Sequence, residues 1–331
     1  MKDYSIFIGI DVSKSTIDVA CLQKGTWTLK LKLENNKSGV QTLIRNLKKQ
    51  PGFEPQDTLV CMENTGMYSY KTALLLIDLC IKNIWIESAL QILRSQGVVR
   101  GKSDSIDAVR IAEYALRFQS RATIFEFSNE TFYLKTLLNL RTLILSSLHR
   151  FKVNLAEFKE MEGLIDLKTR NTMLKMTIKP IEKYLAKTEA IMLDAIRKSP
   201  SVYQNYQYIT SVPGIGKVTA IEVIIATANF SRITDPCKFA CYSGVVPFEF
   251  TSGTSIQGKS RVSHMANKHI KKALHMAAMS AIQINGELKN YYERKVAEGK
   301  SKMSVLNAVR NKLIHRMFAC VRNKSNYIPV I

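Results

Sequence analysis

Ile8-Gly9-Ile10-Asp11-Val12 decides how this 331-residue chain is read. The residues around it alternate and are rich in isoleucine, the pattern of a buried strand. An aspartate at the end of such a strand is costly unless something cationic neutralises it. The same form returns in Thr58-Leu59-Val60-Cys61-Met62-Glu63, an apolar run closed by a glutamate. Asp104 and Asp107 follow in Lys102-Ser103-Asp104-Ser105-Ile106-Asp107-Ala108, where Ser103 caps the start of a helix. A hard divalent ion bound by oxygen ligands would satisfy such carboxylates, and it suits phosphate chemistry.

Working outward, residues 5–12, 16–23 and 27–34 predict an antiparallel meander of three strands, with Lys24-Gly25 as one turn. The third alternates apolar and polar residues, as a sheet with one wet face does. Helical spacing runs from Gly39 to Gln50 and stops at Pro51-Gly52. The strand ending at Glu63 comes next, then a turn at Asn64-Thr65-Gly66. A helix over Tyr68–Leu79, a strand over Asn83–Glu87 and a helix from Ser103 to Phe118 complete the series. This order predicts an α/β sheet of mixed strand directions. If the first and fourth strands are neighbours, Asp11 and Glu63 meet at one sheet edge. Asp104 and Asp107, three apart, share the helical face that closes the site.

Residues 130–200 change character. Leucine and methionine recur at helical intervals, with Gly163 and Pro180 as the only breakers. Two or three long helices are expected, either a coiled-coil spacer or dimer contact, or an intramolecular hairpin. Ser199-Pro200-Ser201 opens the last region, where helices are expected over 217–228, 235–242, 265–285 and 301–320. Residues 244–263 read as a polar, basic loop rich in glycine and serine.

Charge sharpens the functional reading. The chain carries 48 Lys and Arg against 27 Asp and Glu, a formal net charge of +21. Residues 1–120 hold +4 of this, 121–205 hold +5, and 206–331 hold +12. The C-terminal part is therefore the main footprint for a polyanion, which points to nucleic acid. The six cysteines are scattered, and Met1-Lys2-Asp3-Tyr4 leads into a strand rather than a secretory signal. Reduced thiols and a cytoplasmic setting are expected, with no membrane span. Cys237 and Cys241, with His264 and His269 downstream, match no common zinc finger and read as packing residues.

Two further motifs carry chemistry. Val212-Pro213-Gly214-Ile215-Gly216-Lys217 allows a tight turn into a helix whose free amides face an anion. It reads as the hairpin of a helix-hairpin-helix module, which grips a nucleic-acid backbone without reading sequence. A Walker loop fits poorly, because Val218 follows Lys217 where Ser or Thr is required. Ser252-Gly253 lies in the expected loop, with Lys259, Arg261, Lys268, Lys271 and Lys272 close behind. A serine among cations can attack a phosphodiester if its proton is removed. Ser243 before Gly244, and Ser255, are rivals for that role.

These features, in this order, resemble the DEDD transposases of the insertion-sequence family numbered one-ten, the group that includes the Piv-type DNA invertases. Gly9-Ile10-Asp11-Val12-Ser13-Lys14, Met62-Glu63-Asn64-Thr65-Gly66 and the segment from Lys102 to Ala108 resemble its first three motifs. Pro213-Gly214-Ile215-Gly216 and Gly244-Val245-Val246-Pro247, followed by Ser252-Gly253, resemble its C-terminal motif. The family's more basic run after the serine is interrupted here by Thr254-Ser255-Ile256-Gln257.

The resemblance implies three domains. A RuvC-like catalytic domain of the ribonuclease H type would span 1–125, a helical coiled-coil spacer 126–200, and a mainly α C-terminal transposase domain 201–331. It implies magnesium at Asp11, Glu63, Asp104 and Asp107, and Ser252 as nucleophile. Lys102, Gly214, Gly216, Lys217, Lys259, Arg261, Lys268, Lys271 and Lys272 would meet nucleic acid. The implied partners are DNA at element ends and target, a noncoding bridge RNA, and further copies in a homodimer or homotetramer. One subunit's acidic site would face another's serine. Competing readings are a RuvC-like junction nuclease using metal-activated water, and a non-catalytic nucleic-acid-binding module. An actin- or sugar-kinase-like ATPase ranks below both, since no second phosphate loop follows the opening motif.

Overall fold

The computed structural model describes residues 3–23, 25–97, 104–161, 164–252, 256–263 and 265–329, without the side chains of 104–105, 250–252, 256–257 and 259–261. The chain divides into two compact units, Met1–Phe127 and Ser128–Ile331.

The first unit is built on a five-stranded sheet. Its strands are β1 (Ile6–Val12), β2 (Thr16–Gln23), β3 (Thr26–Glu34), β4 (Thr58–Glu63) and β5 (Ile84–Glu87), in the order β3-β2-β1-β4-β5. Short connections make β1, β2 and β3 an antiparallel meander, as expected. Parallel pairing of β1 with β4, and of β4 with β5, needs crossovers. These are α1 (Lys37–Leu47) and α2 (Met67–Asp78). Both cover one sheet face, where Ile6, Ile8, Ile10, Val60, Met62 and Ile84 form a closed apolar core. Each such side chain removed from water contributes about 1.5–3 kcal/mol. Asn36 caps α1 by accepting from the Gly39 amide at 2.8 Å, so the helix begins where the chain leaves β3.

The opposite face holds Phe7, Leu59, Cys61 and Trp85 beneath α4 (Asp104–Phe118), which contributes Ile111, Ala112 and Ala115. A Cβ on Gly9 would lie 2.1 Å from the Ala108 carbonyl oxygen and 2.3 Å from the Ala112 nitrogen. The glycine is thus where helix and strand backbones touch. At the other end of α4, Gln119 accepts from the Tyr4 amide at 3.3 Å. The helix therefore runs antiparallel to β1, and its first turn lies toward Asp11. A short helix missed in the sequence, α3 (Ala89–Arg94), follows β5.

The second unit is helical apart from one hairpin. Helix α5 (Asn129–Glu157) pairs with α6 (Lys168–Lys198). Arg141 meets Glu189 at 2.8 Å, and Lys152 meets Glu182 at 2.6 Å. Rising numbers on one helix match falling numbers on the other, so the pair is an antiparallel hairpin within the chain. The remaining helices are α7 (Pro200–Thr210), α8 (Lys217–Thr227), α9 (Pro236–Tyr242), α10 (Lys268–Ala281), α11 (Glu287–Ala297) and α12 (Lys302–Asn323). Helix α12 packs against α7, α9, α10 and α11, and Val309, Leu313, Ile314 and Met317 are its fully buried residues in the shared core.

Residues 244–263 are not the loop expected from their polarity. They carry β6 (Pro247–Ser252) and β7 (Ile256–Val262), which pair antiparallel. The alternation of Phe248 and Phe250 with Glu249 and Thr251 satisfies the strand period, and sequence reading gave it less weight than the surrounding glycines. Among the described residues no helix is long and apolar enough to cross a membrane, and all six cysteines are free.

Candidate catalytic site

Strand alternation sorts the acidic residues. Phe7, Gly9 and Asp11 share one face of β1, as do Leu59, Cys61 and Glu63 on β4, and Trp85 and Glu87 on β5. This is the face beneath α4. Ile10 pairs with Met62, so Asp11 and Glu63 stand one step further along neighbouring strands. Glu63 pairs in turn with Glu87. Three carboxylates therefore end three adjacent parallel strands on one face. Across the antiparallel side, Asp11 pairs with Asp18, which is 7% exposed and meets Lys32 at 3.6 Å.

Helix α4 brings its own acids to this end. Asp107 precedes the contact at Gly9 by one residue and is held by Arg110 Nη1 at 2.9 Å. Asp104 opens the helix one turn earlier, and its side chain lies outside the described residues, as do Lys102 and the Ser103 cap. Glu87 Oε1 accepts from the Ser88 amide at 2.6 Å. Tyr114 of α4 feels this carboxylate: burial, with the Glu87 charge next, pushes the phenol up to about 12, so it stays protonated.

Sequence reasoning missed Glu87 and Asp18. Glu87 had a signal, for it closes its strand just as Glu63 does; Asp18 lies inside its strand and had none. The donor set is all oxygen and suits a hard divalent ion. Magnesium keeps several waters and takes only one or two carboxylates directly. Among the described residues no three His, Cys, Asp or Glu side chains gather closely enough to hold an ion. A pair such as Asp11 and Glu63 is the fit this edge offers.

The second unit carries the other predicted residues. The turn between α7 and α8 contains both glycines, and they serve different ends. Gly214 has φ +90°, and a Cβ there would lie 2.5 Å from the Ala281 Cβ of α10. Gly216 opens α8 with φ −87° and faces open space. No side chain caps α8, and Lys217 is exposed beside its first turn. This leaves amides and an ammonium together on the surface, an arrangement suited to a phosphate.

Ser243 is closed off from solvent. It is fully buried at the end of α9, and its Oγ donates to the Ala240 carbonyl at 3.2 Å. Ser252 is the last residue of β6, paired with Ile256 across the hairpin. The side chains of Ser252, Lys259 and Arg261, together with Gly253, Ser255 and His264, lie outside the described residues. The hairpin root is well defined. Gly244 has φ +66°, with the Ala266 Cβ 2.4 Å from where its own would stand and the Lys271 Cδ at 3.6 Å. Asn267 caps α10 through the amides of His269 and Ile270, and exposed Lys268 and Lys272 rise from the same end. One helix, α10, thus runs from the hairpin root at Lys271 to the glycine turn at Ala281.

Comparison with known proteins agrees across both units. A family profile described as a transposase, of the DEDD type named for IS110, matches residues 8–158. A second, described as the transposase IS116/IS110/IS902 family, matches residues 206–293. The pilin gene-inverting protein of Moraxella bovis is 25% identical over 321 residues, covering 96% of this chain and 95% of its own. Its counterpart from Moraxella lacunata matches with the same identity and coverage. The insertion element IS110 uncharacterized 43.6 kDa protein of Streptomyces coelicolor is 28% identical over 119 residues, covering 36% of this chain and 29% of its own.

Proposed function

The chain belongs to the IS110 family of transposases, and on that premise we propose that it recombines DNA through magnesium-assisted attack of Ser252 on a phosphodiester, guided by a noncoding bridge RNA. In this reading Met1–Phe127 is a RuvC-like domain of the ribonuclease H type. The order β3-β2-β1-β4-β5, with β2 antiparallel to both neighbours and β1, β4 and β5 mutually parallel, supports that assignment. Asp11, Glu63, Asp104 and Asp107 would hold the ion. Magnesium bound there would stabilise negative charge on a phosphate oxygen.

The protein's own part is nucleophilic. The Ser252 oxygen bonds to phosphorus as a phosphorus–oxygen bond to the sugar breaks. The hydroxyl gives up its proton, and the departing sugar oxygen takes one. Because one phosphoester replaces another, bond energy is kept for the rejoining step, whereas hydrolysis would lose it. Basic residues at the same end of α10 offset charge at the crowded phosphorus. The glycine turn before α8 grips backbone, and the +12 of residues 206–331 serves DNA and RNA together. A homodimer or homotetramer would supply the strands to be exchanged.

The observation that carries this reading is the alignment of Asp11, Glu63 and Glu87 on one face at the ends of parallel strands. The test is to incubate purified protein with element-end DNA, the flanking transcript and magnesium. A covalent protein–DNA adduct should form, and it should vanish in Ser252→Ala and on chelation of the metal. Cleavage that continues in Ser252→Ala would instead identify a nuclease using activated water.

A further inference from the structure

Arg310 is a buried charge that none of the chemistry above uses. It lies on α12 and is only 6% exposed. Its Nη2 stands 2.6 Å from His275 Nδ1 on α10 and 3.6 Å from the Met303 sulfur. Its Nη1 donates to Asn307 Oδ1 at 3.3 Å, and Nε is buried without a partner. These partners are all neutral. Among the described residues no carboxylate pairs with this guanidinium. A buried cation without a counter-charge costs stability, and a hydrophobic residue of like size would serve packing better. Its presence calls for another reason.

The hydrogen bonds lead to one. Burial and the adjacent guanidinium hold His275 below the usual histidine range. The ring is therefore neutral, its Nδ1 accepts from Arg310, and its proton sits on Nε2. Asn307 then has one amide atom for each neighbour. Oδ1 faces Arg310, while Nδ2 donates to the Val245 carbonyl at 2.6 Å. Turning that amide over would set its NH2 against a cation. Val245 lies two residues before β6, in the motif Gly244-Val245-Val246-Pro247. Its own amide donates to the Ala240 carbonyl at 2.9 Å. Both backbone groups of Val245 are thus tied down, and Arg310 decides one of the two ties.

We infer that Arg310 is a positioning residue: by fixing the orientation of the Asn307 amide it anchors the root of the β6–β7 hairpin, the strand pair on which Ser252 is carried. This rests on the reading of Ser252 as nucleophile. Arg310 does its work through Asn307 and touches no reacting atom.

The experiment uses the full chain with element-end DNA, transcript and magnesium. It measures the adduct-forming rate at saturating DNA, the DNA affinity and thermal unfolding. Arg310→Met removes the buried charge at nearly constant volume. It should leave unfolding unchanged or raised and affinity within about twofold, while the rate falls about tenfold to a hundredfold. His275→Leu should follow it. His275→Asn, whose Oδ1 can replace Nδ1 as acceptor, should keep the rate within about threefold of the natural protein. An Arg310→Met protein that forms adduct within about twofold of the natural rate overturns the inference. If Arg310→Met does not fold, equal rates in His275→Leu and His275→Asn overturn it. Loss of adduct in Ser252→Ala with Arg310→Met unchanged defeats this inference alone. An adduct that persists in Ser252→Ala defeats the serine reading and this inference with it.

Discussion

Gly9→Ala sets one methyl group against the main chain of α4. The added carbon would stand 2.1 Å from the Ala108 oxygen and 2.3 Å from the Ala112 nitrogen. Both are backbone atoms within a helix, so no side-chain rotation relieves the overlap. Ordinary contact begins near ~3.5 Å, so the helix must back away by about 1.4 Å. Overpacking of this kind costs about 3 kcal/mol, the upper end of its usual range, because only backbone can yield. With a urea slope of about 2 kcal/mol per molar, the unfolding midpoint should drop by about 1.5 M. The assay is clean, because both tryptophans, Trp27 and Trp85, belong to Met1–Phe127. Trp85 also packs against Tyr114 of α4, with ring centroids 5.0 Å apart and planes tilted by 36°. Tryptophan fluorescence thus reports the affected unit and its affected face. The same retreat draws Asp107 from the strand ends, and if the proposed function holds, adduct formation with magnesium should fall about a hundredfold. A midpoint within about 0.3 M of the natural protein, with chemistry intact, would refute the close approach of α4 to β1.

Other perturbations separate roles within the second unit. Burial pushes the Glu222 carboxyl up to about 7, opposed by Arg141 and Lys272, and its Oε2 has no hydrogen-bond partner. A raised folded pKa means the folded state keeps a proton that the unfolded chain releases. That stabilisation is full below about pH 4.5 and disappears as pH rises toward 7. Denaturation followed by far-ultraviolet circular dichroism should show this decline, and Glu222→Gln should flatten it; parallel profiles would count against a buried acid. Ser243→Ala removes a buried hydrogen bond and should cost about 1 kcal/mol while adduct formation at Ser252 continues. Loss of adduct without loss of stability would return Ser243 to contention. Gly214→Ala drives a methyl into Ala281 at positive φ and should destabilise by about 2 kcal/mol or more. Gly216→Ala faces open space and should leave stability within about 0.5 kcal/mol of the natural protein, as thermal unfolding of both variants would reveal.

Much of the sheet was legible because its signals are local. Each strand of Met1–Phe127 is a short apolar or alternating run bounded by turn residues, and crossover helices are the usual means of joining parallel strands. The pairing of Asp11 with Asp18 was not legible, since register across a hairpin depends on where the turn closes. Helices α7 and α11 escaped notice because they bury only Val202 and Ile209, and Leu288, too few apolar residues to draw a stripe. The hairpin β6–β7 was hidden by its glycines and serines, which read as loop although the alternation beneath them is that of strands. The long region from 130 to 200 declared its helices, while the ion pairs that fold α5 onto α6 lie 30 and 48 residues apart and carry no local mark. Arg310 was invisible for the opposite reason: one arginine among 48 basic residues shows nothing until its surroundings are known.

The face-sharing of Asp11, Glu63 and Glu87 constrains how this chain can change over generations. Gaining or losing one residue within β1 or β4 would turn that strand's carboxylate into the isoleucine-rich layer under α1 and α2. Gaining two would restore the side but carry the acid about 7 Å along the strand. Neither error leaves the three carboxylates aligned at one edge. Length variation in this unit should therefore be confined to the connections between strands, and an alignment gap inside β1 or β4 should mark a copy whose carboxylates no longer share a face.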